Sequence, residues 1–181
     1  KERADAISLS RPIAPPEKYV GLQLEVVDVP NEERYITAIP LLNIKAAAGG
    51  FSMEQHLEVC DWVRLPEPFE HKPGYFVAQV VGESMNRRIP NGAWCLFKPD
   101  QGGSRNGKIV LVESSHIQDT ETGSSYTVKR YHSEKVSDEG GWEHSKIVLS
   151  PMSNVGAFMD VELMGEQVES FCVIGEFVAV L

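Results

Sequence analysis

Val80-Val81-Gly82-Glu83-Ser84-Met85-Asn86-Arg87-Arg88-Ile89-Pro90-Asn91-Gly92 runs the end of an apolar stretch into a glycine, a serine and a polar turn, and its reading decides the fold. Residues 76–81 are apolar apart from Gln79 and predict a strand that delivers Ser84 into a tight turn beside free backbone N–H groups. Residues 85–89 carry the best short helical turn in the chain. Further on, Tyr126-Thr127-Val128-Lys129-Arg130 predicts a second strand, whose apolar setting would desolvate Lys129 and lower its pKa. A neutral lysine amine can take the proton of a serine hydroxyl with no histidine or aspartate, so Ser84 and Lys129 read as a Ser–Lys dyad that the fold must assemble. Taken singly, each half has an ordinary reading: a turn at a strand end, and a lysine on an exposed strand face.

A third element lies upstream of the serine. Ala46-Ala47-Ala48-Gly49-Gly50, flanked by Ile44 and Phe51, is built of small residues that let an extended backbone enter a narrow site. Its ordinary reading is a hinge. The three elements in this order resemble the peptidase S24 family, the self-cleaving domains of LexA-like repressors, UmuD-like proteins and phage repressors. The resemblance runs from about Ile39 to the C-terminus and takes in Pro90-Asn91-Gly92-Ala93 and Asn106-Gly107-Lys108-Ile109-Val110-Leu111-Val112. It implies cleavage of the Ala48–Gly49 bond by Ser84 as nucleophile with Lys129 as general base. It also implies an all-β, LexA-like C-terminal domain of curved antiparallel sheets, with a short helical turn after the nucleophile. No cofactor and no metal are called for. The expected setting is regulation of a fused or associated DNA-damage (SOS) or phage-type regulatory protein, triggered by a RecA filament on single-stranded DNA.

Residues 39–181 are expected to form the peptidase domain, with the cleavage segment at 44–52. Residues 1–38 read as an N-terminal extension or linker from a longer protein, since the chain opens on Lys1 and not on methionine. Pro12, Pro15, Pro16 and Pro30 exclude paired helices there, so no helix-turn-helix is expected. The loop 114–125, with Asp119, Thr120, Glu121, Thr122 and Gly123, is longer than in the compact repressors and reads as an insertion before the lysine strand. At 181 residues and 42% hydrophobic content the chain can bury one core, and its formal charge of −9 argues against a nucleic-acid surface. Arg87-Arg88 is an ordinary solvated turn. No apolar run reaches the roughly 20 residues of a membrane span, and none reads as a signal peptide, which points to the cytoplasm.

Short β-rich runs at 22–29, 59–65, 75–81, 93–98, 108–113, 125–131, 146–149, 157–163 and 171–181 are separated by Pro, Gly, Asn and Asp. Residues 134–145 read as a polar hairpin loop. Cys60, Cys95 and Cys172 sit in apolar settings and are expected as buried free thiols. His56, His71, His116, His132 and His144 lack metal-ligand spacing, and His132 is expected on the strand face opposite Lys129. The apolar run 170–181 reads as a core strand. The resemblance adds that this strand pairs across a homodimer as an otherwise open edge.

Other serine-hydrolase designs fit less well. A nucleophile elbow needs a glycine where Asn86 stands, and Ser-x-x-Lys occurs nowhere in the chain. The reading from another class is a non-cleaving S24-like dimerisation or interaction module attached to a DNA-metabolism or helicase-like protein.

Overall fold

The computed structural model describes residues 11–13, 24–44, 57–119, 121–138 and 141–181. These residues form a mixed sheet of eleven strands: β1 (Arg11–Ile13), β2 (Leu24–Val27), β3 (Ile39–Leu42), β4 (Val59–Arg64), β5 (Phe76–Val80), β6 (Ala93–Pro99), β7 (Ile109–Ser114), β8 (Tyr126–Asp138), β9 (Gly141–Ser150), β10 (Val161–Met164) and β11 (Phe171–Val180). The order across the sheet is β1-β2-β4-β3-β5-β6-β11-β7-β8-β9-β10. Neighbours run antiparallel except β3 and β5, which are parallel. The one α-helical segment among the described residues is the four-residue α1 (Glu166–Glu169). The fold is the expected all-β, LexA-like one.

The central strands bury both faces. Along β5, Phe76, Ala78 and Val80 enter one cluster with Cys95, Phe97, Leu111 and Val128, while Val77 enters a second with Leu24, Ile39, Val63 and Leu96. Along β7, Leu111 belongs to the first cluster, and Val110 and Val112 to a third with Tyr131, Ile147 and Leu149. Alternation thus supplies two apolar layers from one strand. Gly175 marks where β11 crosses this stack, since a Cβ there would meet the Phe76 ring at 2.9 Å.

Four details differ from the sequence reading. β3 is a strand in a stretch that showed no strand signal, because Pro40 reads as a break; pairing with β5 begins only at Leu41, just past the missing N–H. Most of residues 134–145, expected as a loop, continues the β8–β9 ladder, which closes at Asp138 and Gly141. β11 is an inner strand and not a sheet edge: it lies between β6 and β7, pairing with β7 over residues 171–176 and with β6 over residues 175–180. Of the cysteines only Cys95 is buried; Cys60 and Cys172 are exposed, because each stands on the solvent side of its strand. His132 is exposed on the face away from Lys129, as alternation requires.

Candidate active site

The Ser84 turn is held from four sides. The Gly92 N–H donates to Val80 O at 2.8 Å and closes the loop that β5 enters and β6 leaves. Asn91 Oδ1 accepts from the Gly82 N–H, and the Asn86 and Asn91 amides donate to the Glu83 carboxylate. The Ile89 N–H donates to Met85 O at 2.8 Å, completing the expected helical turn, whose Met85 and Ile89 side chains are fully buried anchors. From the fourth side the chain after β9 docks: the Met152 N–H donates to Ser84 O, the Arg87 N–H to Met152 O and the Asn154 N–H to Asn86 Oδ1. Arg87 and Arg88 point to solvent.

Lys129 lies on β8, opposite Val110 of β7, with 6% of its surface exposed; Ser84 has 8%. Lys129 Nζ is 2.8 Å from Ser84 Oγ, 2.8 Å from Thr127 Oγ1, 3.2 Å from Val128 O and 3.9 Å from Asp119 Oδ2. The fold therefore joins the serine and lysine that the sequence singled out. Burial lowers the Lys129 pKa, against the charges of Asp119 and Glu121, which raise it; burial prevails.

Two polar partners set the direction of that amine. Thr127 donates its hydroxyl hydrogen to Asp119 Oδ2 at 2.8 Å, which leaves its oxygen as an acceptor for Lys129. Asp119 is gathered by the Glu121 N–H, the Thr122 N–H and the Thr122 hydroxyl at its Oδ1. Burial pushes its carboxyl up, but these hydrogen bonds, with that of Thr127 and the charge of Lys129, outweigh it and hold the pKa below the usual value. A neutral lysine amine has two hydrogens and one lone pair. Thr127 Oγ1 and Val128 O take the hydrogens, and the lone pair is left for the Ser84 hydroxyl.

Glu121 reaches the turn from the same loop. Its carboxylate accepts from the Glu83 N–H at 2.8 and 2.9 Å and from the Ser84 N–H at 3.2 Å. The loop 114–125 was legible as an insertion but not as a contributor to the site. Thr127 was legible in principle, since it stands two residues before Lys129 on a strand and so shares its face. Nothing in the sequence pointed to Glu121, which meets Ser84 across 37 residues.

Beside Ser84 lies a cavity of about 30 Å³, lined in its apolar part by Ile44, Val80, Leu111, Tyr126 and Val128. Ala48 and Gly49, the expected cleavage site, lie outside the described residues. The chain on either side of them is described, and Ile44 and Leu57 both pack against the core cluster under Ser84. Among the described residues no group of side chains could hold a metal ion, and no helix is long and apolar enough to cross a membrane.

The described residues thus form an all-β domain with a buried lysine amine against a buried serine hydroxyl at a strand-to-turn junction. The Peptidase S24-like family model matches residues 40–141, from β3 to the tip of the β8–β9 ribbon, and the chain belongs to that family. It is a peptidase-like domain. No curated protein matches the sequence.

Proposed function

We propose that this domain is a Ser–Lys autopeptidase that cuts its own Ala48–Gly49 bond and thereby regulates a fused or associated DNA-damage or phage-type regulatory protein. The observation that carries the reading is the 2.8 Å contact between the buried Lys129 amine and the Ser84 hydroxyl. Neutral Lys129 takes the Ser84 proton as Oγ attacks the Ala48 carbonyl carbon. The Glu83 and Ser84 N–H groups then stabilise the oxyanion. Protonated Lys129 next returns the proton to the Gly49 nitrogen as the C–N bond breaks, leaving Ala48 as an ester on Ser84. A water, deprotonated by Lys129, hydrolyses the ester. Delivery of the bond is supported by Ile44, which lines the cavity beside Ser84 and stands four residues from Ala48, a reach of at most about 14 Å.

Incubating the protein from neutral to alkaline pH and reading its mass should give a fragment beginning at Gly49. Ser84→Ala and Lys129→Ala should each abolish it. Cleavage at the wild-type rate in either variant would sink the dyad. The non-cleaving interaction module is favoured by one observation, the Glu121 carboxylate on the two N–H groups that catalysis needs. A protein that stays intact at every pH and with an activated RecA filament, yet forms a homodimer in solution, would establish that module instead.

A further inference from the structure

The seat that Glu121 occupies is built to hold it. Gly82 has φ of +112°, and a Cβ at that position would lie 2.2 Å from Glu121 Oε2, so a side chain at 82 would expel the carboxylate. Behind Glu121 the loop is drawn tight: the Gly123 N–H donates to Asp119 O at 2.7 Å and the Asp119 N–H to Ser124 O at 2.8 Å. This turn aims the Glu121 side chain back at the Ser84 turn. Glu121 is itself exposed, so its carboxylate can swing into water without stranding a buried charge.

We propose that Glu121 is an autoinhibitory gate: its carboxylate fills the oxyanion hole of the resting domain and must leave before the cleavage segment can be attacked. This rests on the Ser–Lys reading above. The tetrahedral oxyanion at Ala48 and the Glu121 carboxylate need the same two donors, and both are negative, so they exclude each other by space and by charge. Loss of one oxyanion-hole donor costs about 100- to 1,000-fold in rate, and here both are covered. The observed rate is therefore the intrinsic rate multiplied by the fraction of molecules with Glu121 withdrawn. A self-cleaving protein needs such restraint, because its substrate is tethered and always near. Whatever turns cleavage on, a partner or a shift of the loop, acts at this site by drawing the 119–123 turn away from Ser84.

The test compares Glu121→Ala and Glu121→Gln with wild type in two assays, self-cleavage and labelling of Ser84 by a fluorophosphonate. Rates are taken on the high-pH plateau, where Lys129 is neutral in every protein, so that loss of a neighbouring charge cannot act through the base. The gate predicts that Glu121→Ala cleaves and labels about 10-fold faster than wild type, the effect of removing charge-assisted hydrogen bonds from the resting state. Glu121→Gln, which keeps the shape and one acceptor, should fall between, and it carries the test if the alanine variant folds poorly. Ser84-dependent cleavage that is no faster, or slower, in both variants would overturn the gate and leave the Ser–Lys reading standing, with Glu121 a brace of the turn. Absence of both cleavage and labelling in all three proteins would overturn the Ser–Lys reading and the gate together.

Discussion

Lys129 is where burial and charge compete, and the outcome sets both activity and stability. Because burial holds its pKa below the ordinary lysine value of 10.5, the self-cleavage rate should rise with pH and level off at a midpoint under that value. Folding stability moves in the same direction. In the window between the folded midpoint and 10.5 the unfolded chain binds more protons than the folded one, so stability increases as pH rises through it. Lys129→Met should remove that slope and abolish cleavage; at neutral pH it also takes the cation from beside the partly buried Asp119 carboxylate, 3.9 Å away, so urea unfolding should show the domain about 1–3 kcal/mol less stable. A variant as stable as wild type would mean that the cost of burying the lysine charge offsets what that charge gives Asp119. Thr127→Val tests orientation separately. It keeps the shape but removes the acceptor that turns the lone pair toward Ser84, so the plateau rate should fall about 10-fold, with the serine still reactive. An unchanged plateau would show that Val128 O alone aligns the base.

Among the elements, β11 lies beside β6 in the sheet and comes close to β5 at Gly175. Gly175 faces the Phe76 ring, which stacks on Phe97 at 5.3 Å, with Phe177 edge-on to Phe97 at 6.2 Å. Gly175→Ala must push this stack apart and should cost about 1–3 kcal/mol, read as a lower urea midpoint with unchanged slope. A neutral result would mean that β11 slides at its bulge between Val173 and Gly175. The elements also show which parts of the fold were legible in sequence. Strands β5 to β7 announce themselves, because residues such as Phe76, Leu96 and Val110 are apolar in short runs cut by glycine and proline turns. The β8–β9 ribbon does not: past Ser133 it is carried by the ladder and not by an apolar stripe, so its sequence reads as a loop. The Ser84–Lys129 contact was legible only through the resemblance that the two motifs and the alanine–glycine segment carry together, since each half alone has an ordinary reading. The Asp119–Thr127 link and the Glu121 contact were not, since they depend on how one loop folds back across the sheet.

For the molecule as a whole, the packed core extends beyond the stretch that matches the family. That match begins at residue 40, yet β2 pairs with β4 and places Leu24, 1% exposed, and Val26 in the cluster formed by Ile39, Leu41, Val63, Val77, Leu96 and Leu181. The same cluster backs β5 and β6 on the face away from the site: Val77 is buried in it between Phe76 and Ala78, which belong to the cluster beneath Ser84. A residue before the family boundary is therefore part of what packs against β5, the strand that leads into the Ser84 turn. Leu24→Ala removes a fully buried side chain and should destabilise the whole domain by about 2–5 kcal/mol in a single urea transition. Because β5 is shared between the two layers, the same variant should slow self-cleavage near its unfolding midpoint and not far below it, where the native layer is still intact. A stability loss under about 0.5 kcal/mol, within the range of surface substitutions, would show that the chain before Ile39 is an appendage and that the sheet is complete without it.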